Sequence, residues 1–229
     1  MKPACFNGII KVMGNTVGSL STNFCNFPQS AEDHYILGLW CADGYYWSSS
    51  IGLTNIDKSL IRRFRTFLGK LFPKERIKLG VYGNGKRKHF GYKLYVNGRP
   101  LLRLFGLFKN DPKRNLKGTE YIKAYLAGRF DGDGCISKDL RKDCRISYGN
   151  LLDAQLDYQL MLKIGLKNSK IYRYRTSNTF VNYVSQKDVR IFLDGIRKYS
   201  TKLQKFVLRP RRDFDRIGYD QDSSKFLLL

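Results

Sequence analysis

The central part of this chain is written twice, and that repetition limits what it can fold into. Around Asp43 the sequence reads YILGLWCADGYY, and around Asp133 it reads YLAGRFDGDGCI. The segments after the two copies also correspond. SIGLTNIDKSLIRRFRTFLG, from Ser50, matches RISYGNLLDAQLDYQLMLKIG, from Arg145, an extended run leading into an amphipathic helix that ends near Gly69 or Gly165. RIKLGVYGNG and GYKLYVNG then match SKIYRYRTSN and FVNYVSQ, in each case two strand-like stretches about a turn. RPLLRLFGLF matches KDVRIFLDGI, a second short helix. A period of about 90 residues is too long for a solenoid. The predicted class is therefore α+β: a duplicated αββαββα unit about a pseudo-twofold axis, with two antiparallel sheets.

Residues 30–117 make the first unit and residues 118–209 the second. The loop from Asn110 to Thr119, with its Asp111-Pro112 pair, is the expected connector. Residues 1–29 and 210–229 have no counterpart in the repeat and are expected to be an N-terminal extension and a C-terminal tail.

Ser30 followed by Asp33 predicts a capping box at the start of the first motif helix, and Thr119 with Glu120 is expected to cap the second. Each helix is expected to end at a glycine, Gly44 or Gly134, where the chain reverses cheaply. Helical spacing puts Gly38 and Ala42 on one stripe, and Gly128 and Gly132 on the matching stripe. Small residues four apart let two helices approach until their backbones nearly touch. The two copies are thus expected to pack on each other.

Asp43 and Asp133 each come one residue after that stripe, at the C-terminal foot of a helix. Two carboxylates beside two negative helix ends repel each other, and a cation relieves them; oxygen ligands favour Mg2+. One Asp-Gly pair alone reads as an ordinary helix-ending turn. Two, in phase with the repeat and behind small-residue stripes, point instead to a shared site. Asp131 to Gly134 imitates the start of a calcium loop, but Ile136 stands where the sharp-turn glycine is needed.

The charge balance names the partner. The chain carries 42 Lys and Arg against 19 Asp and Glu, a formal net charge of +23. Such an excess repels itself, and a polyanion compensates it. Paired acids holding Mg2+ beside phosphates are the parts of a metal-dependent phosphodiesterase. The 5 cysteines form no CxxC pair and suit a reducing compartment better than a disulfide scaffold. No apolar run approaches the roughly 18 residues of a membrane span. The N-terminal stretch has only Lys2 and Lys11 as basic residues, a poor targeting peptide. A soluble intracellular protein is expected.

ILGLWCADG (Ile36 to Gly44) and LAGRFDGDG (Leu126 to Gly134) resemble the nine-residue signature of the LAGLIDADG homing endonucleases, and the duplicated layout resembles their single-chain, monomeric members. The resemblance implies a site-specific double-strand DNA endonuclease acting at a long asymmetric target, with two or more Mg2+ ions that Mn2+ can replace. It implies that Asp43 and Asp133 bind the metals, helped by the carbonyls of Ala42 and Gly132, and that the sheets form a DNA-binding saddle. It also implies one basic residue per half near the last short helix, for which Lys113 and Lys202 are the candidates and Lys205 an alternative. An origin inside an intron fits better than an intein, since splicing residues are missing. An RNA maturase, binding intron RNA on the same scaffold, is the rival reading; it needs the basic surface but not the acids.

Two motif residues depart from the pattern. Cys41 stands at the sixth position, where the signature has Asp, and Arg129 takes an apolar place, either pointing outward or pairing with an acid. For DNA contact, strand alternation puts Arg173 and Arg175 on one face and Tyr172 and Tyr174 on the other, and the arginines are expected to face the DNA. Lys86, Arg87 and Lys88, with Lys138, Arg141 and Arg145, are further candidates for phosphates or guanine edges.

Overall fold

The computed structural model describes residues 27–83, 90–136, 143–207 and 226–228. The first half runs α1 (Ala31–Asp43), β1 (Gly44–Trp47), β2 (Ser50–Asn55), α2 (Lys58–Gly69), β3 (Lys78–Tyr82), β4 (Gly91–Asn97), α3 (Arg99–Asn110) and a short α4 (Pro112–Asn115). The second repeats it: α5 (Thr119–Asp133), β5 (Gly134–Ile136), β6 (Asp143–Tyr148), α6 (Leu151–Lys163), β7 (Lys170–Tyr174), β8 (Phe180–Ser185), α7 (Gln186–Arg197) and α8 (Thr201–Val207). A last strand, β9 (Phe226–Leu228), comes from the stretch expected to be a tail.

Each half supplies one antiparallel sheet. The strand orders are β1-β2-β4-β3 and β5-β6-β8-β7-β9, so β9 pairs on β7 and extends the second sheet to five strands. In the first sheet Ile51 pairs with Val96 and Leu53 with Leu94, and all four are fully buried under the helices. The opposite row carries Tyr45, Thr54, Lys93 and Tyr95 away from them. In the second sheet, Tyr148 bonds Asp157 and Asn182 bonds the Ala154 carbonyl, which identifies the side that α6 covers.

The two motif helices differ from the others in being buried all round. α1 buries His34 through Trp40 without a break and α5 buries Ala124 through Asp131, whereas α2, α3 and α7 each bury a single stripe. A helix with no polar face belongs in the middle of a fold, and here the two lie against each other there. At the start of α1 the capping box forms: Ser30 Oγ accepts from Asp33 N, and the Asp33 carboxylate accepts from Ser30 N.

Two local expectations fail. Gly118, not Thr119, is the N-cap of α5, and no side chain caps it. Gly44 and Gly134 do not adopt the left-handed conformation, with φ of −68° and −87°. Their need for glycine is steric: a Cβ would lie 2.1 Å from the Trp40 carbonyl at Gly44, and 2.4 Å from the Phe130 carbonyl at Gly134. Gly165, past the end of α6, does take a positive φ of 93°.

Candidate functional site

The site is built by the contact between α1 and α5. A Cβ on Gly38 would lie 2.0 Å from the Tyr125 carbonyl oxygen, and one on Gly128 would lie 2.1 Å from that of Tyr35. Only hydrogen at these places allows backbone to meet backbone. One turn further on, a Cβ on Gly132 would sit 2.3 Å from the Ala42 Cβ and 3.0 Å from Asp43 Oδ2. The foot of each helix, and so the acid next to it, is carried against the other.

The electrostatics follow from that placement. Burial first, and then the Asp133 charge, push the Asp43 carboxyl up from 3.8 to about 6. Asn55 Nδ2 donates to Asp43 Oδ2 at 2.6 Å and opposes the shift. Burial also raises Asp133, against the pull of Arg129 and Lys202. Both acids are thus held with their charge under penalty.

Lys202 comes into the same place from α8. Its Nζ donates to the Gly134 carbonyl at 3.1 Å and lies 3.4 Å from those of Gly132 and Phe130, at the negative end of α5. Burial lowers its pKa, while Asp131, Asp43 and Asp133 hold it up. An open cavity of about 470 Å³ lies in front, lined among others by Asp43, Thr54, Asn55, Tyr82 and Lys202.

The donor set fits a hard divalent cation. Mg2+ keeps several waters and is bound through one or two carboxylates plus substrate phosphates. Two neighbouring acids whose charge is penalised, Asp43 of them lining the open cavity, meet that need. Among the described residues no cluster of three or more His, Cys, Asp or Glu offers a caged metal site. The carbonyl of Gly132, expected to assist a metal, here faces the Lys202 ammonium instead.

The other candidates scatter. Lys113 stands exposed on α4. Lys205 is drawn off by Asp57, the N-cap of α2, at 2.6 and 2.8 Å. Arg129 settles its alternatives by pairing: its Nε donates to Asp157 Oδ2 at 2.9 Å, with both side chains buried. Arg145 lies on the open side of the second sheet, bonded to Asp143 and near the Tyr183 ring. The facing of β7 is the reverse of the expectation. Arg173 pairs with Phe180, in the row that faces α6, and is bonded to Asn178, while Lys170, Tyr172 and Tyr174 lie on the open side with Tyr183. Strand alternation holds, but charge is a poor guide to which face is covered. Arg175 is exposed beyond the end of β7. Lys86, Arg87, Lys88, Lys138 and Arg141 lie outside the described residues.

Sequence reasoning missed Asn55 and the partners of Asp131. The repeat misled about Asn55: the sequence correspondence sets it against Asn150, which caps α6, whereas the end of β6 that matches it in the fold holds Tyr148, turned to Asp157. Asp131 had one: it is the sixth motif residue, where the first copy has Cys41.

Residues 30–108 match the family model described as a LAGLIDADG-like domain. Among solved structures the chain is similar to the homing endonuclease I-DmoI in complex with DNA and Mn, at 16% identity and a TM-score of 0.53 over 72% of this chain and 96% of that one. It is also similar to the homing endonuclease I-WcaI bound to its DNA recognition sequence, at 16% identity and a TM-score of 0.55, covering 78% and 86%. In sequence it is 23% identical over 186 residues to the DNA-directed RNA polymerase subunit Rpo1C of Methanocaldococcus jannaschii. That match takes in 76% of this chain but only 20% of the subunit, about a fifth of its length.

Proposed function

With residues 30–108 a LAGLIDADG-like domain and the chain built on the LAGLIDADG homing-endonuclease fold, we propose that it is a site-specific double-strand DNA endonuclease dependent on a divalent metal. The observation that carries this reading is the pair of penalised acids at the adjoining feet of α1 and α5, with Asp43 lining an open cavity, in a strongly cationic chain. Fold alone does not decide activity; the site does.

Asp43 and Asp133 hold the cation, with the Ala42 carbonyl as a further oxygen. When bound, Mg2+ or Mn2+ neutralises charge on the scissile phosphates and makes a bound water more acidic. Asn55 occupies one oxygen of Asp43 and so fixes which lone pairs face the cavity. Lys202 sets a positive charge beside the acids to receive the charge that builds on a phosphate in the transition state.

The open sheet faces meet the duplex, with Lys93 and Tyr95 in the first half and Arg145, Lys170 and Tyr183 in the second. The halves differ in sequence, so the target is asymmetric and a monomer covers it. Among the described residues no helix is long and apolar enough to cross a membrane.

Selecting cleaved sites from a randomised duplex library with Mg2+ yields the target. On that target Asp43→Asn and Asp133→Asn each abolish cutting while duplex affinity stays within a few fold. A variant that cuts at the wild-type rate removes the shared-metal mechanism.

A further inference from the structure

We propose that Trp47, at the tip of the β1–β2 hairpin, is a specificity-determining residue that reads a thymine methyl in the major groove of the duplex. This rests on the endonuclease reading and deepens it by naming a base contact.

Strand alternation sets the direction of the indole. Gly44 and Tyr46 pair with Leu53 and Ile51, both buried under the helices, so Tyr45 and Trp47 point to the open side. Tyr46 keeps to the helix side, its ring 6.5 Å from that of Trp40. Trp47 is 76% exposed, more than any other large apolar side chain among the described residues. It shares its side of the sheet with Tyr45, Lys93 and Tyr95, and those three are engaged with one another. The Tyr45 ring lies against the Gly52 backbone, where a Cβ would be 2.4 Å from Tyr45 Cε1. Lys93 Nζ sits 4.3 Å from the centre of that ring and 5.7 Å from that of Tyr95. The indole is the apolar group that this face presents to water.

Its root is held firmly. Trp47 pairs with Ser50, and Ser50 with Asn97 in the next strand, where Ser50 Oγ donates to Asn97 Oδ1 at 2.6 Å. The tight turn closes with Ser48 at a φ of 53°, the left-handed conformation that short hairpins demand. Gly98 N donates to the Ser49 carbonyl at 2.9 Å, which ties the tip to the start of α3. A rigid aromatic side chain on a fixed strand loses little entropy when it docks.

The chemistry of the contact follows from the shape of the hairpin. A two-stranded ribbon is what the major groove, about 12 Å wide, admits. Of the four bases only thymine shows a methyl group there, and apolar side chains recognise it. A lysine such as Lys93 serves phosphates at any sequence, whereas an indole gains where it covers apolar surface. Trp47 comes four residues after Asp43, about 13 Å of strand at roughly 3.3 Å each. At about 3.4 Å per base pair, the thymine lies within about four base pairs of the cut.

The test measures binding of the wild type, Trp47→Ala and Trp47→Phe to the selected target, with the metal withheld so that nothing is cut. Each thymine is replaced in turn by uracil, which removes the methyl alone. At one position uracil weakens wild-type binding about fourfold, the worth of one buried methyl. Trp47→Ala binds thymine and uracil equally there and keeps its response elsewhere, a pattern that general loss of structure does not produce. Trp47→Phe retains the preference. Trp47 stands in solvent, so both variants should melt with the wild type. The chain has 2 tryptophans and Trp40 is only 4% exposed, so a change of emission on adding duplex reports Trp47. Emission that duplex leaves unaltered, or no position at which uracil weakens the wild type, overturns the inference. So does a Trp47→Ala variant with the same uracil responses as the wild type. Cutting of the target by the wild type then leaves the endonuclease reading standing. A wild type that cuts no selected duplex overturns the reading beneath it, and the inference with it.

Discussion

The two halves share a backbone plan but solve the same buried positions differently. Where α1 has Leu39 and α2 has Phe64, both fully buried, the second half has Arg129 on α5 and Asp157 on α6, joined as an ion pair. Where the first half ends β2 with Asn55 bonded to Asp43, the second ends β6 with Tyr148 bonded to Asp157. Cys41 faces the same kind of choice against Asp131. What repeats without change is what geometry demands: small residues where the helices touch and an acid at each foot. Fold symmetry thus comes from sterics, while charge and hydrogen bonding are free to diverge.

The ion pair offers the largest test of that contrast. Asp157→Ala leaves the Arg129 guanidinium buried without its acid, and should cost about 3–5 kcal/mol in denaturant unfolding. Grafting the apolar pair of the first half, with Arg129→Leu and Asp157→Phe together, should cost less than Asp157→Ala alone, because apolar replacements of a buried pair are often neutral or better. A double variant worse than the single would mean that the pair is needed for more than filling the space.

Steric necessity is tested next. Gly128→Ala drives a methyl into the Tyr35 carbonyl and should reach the top of the roughly 1–3 kcal/mol range for overpacking, or pass it. A melting temperature unchanged by Gly128→Ala would show that the helices have room to part.

The acid pair predicts a pH effect on the metal-free protein. The Asp43 carboxyl binds its proton more tightly folded, at about 6, than at its ordinary 3.8. The stability it contributes is full below about pH 4 and is lost as pH rises through about 6. Unfolding measured in chelator should show that decline, and Asp43→Asn should flatten it. The smallest effect belongs to Gly106 in α3, where a Cβ meets nothing within 4 Å. Gly106→Ala should stabilise by about 0.5–1 kcal/mol, in contrast to Gly128.

Much of this was legible in the sequence. The repeat predicted the order of elements, and the Gly38 and Gly128 stripes predicted where backbones meet, because close approach has one cheap chemical solution. Asp43 and Asp133 were visible because they are locked in phase with those stripes. The rest depended on tertiary partners. No local pattern says that Arg129 finds Asp157, that Lys205 is taken by Asp57, or that Arg173 lies in the row facing α6. The strand β9 was hidden for the same reason: a fifth strand is chosen by an open edge elsewhere in the fold.

The central claim is that two acids, one from each half, serve one metal-dependent cutting site. The direct measurement is duplex cleavage and duplex binding, side by side, for the wild type, Asp43→Asn and Asp133→Asn with Mg2+ present. The account predicts that each substitution lowers cleavage by several kcal/mol of transition-state stabilisation, on the order of 10³-fold or more, with binding little changed. Undiminished cleavage by either variant, or loss of binding in step with loss of cutting, would contradict it.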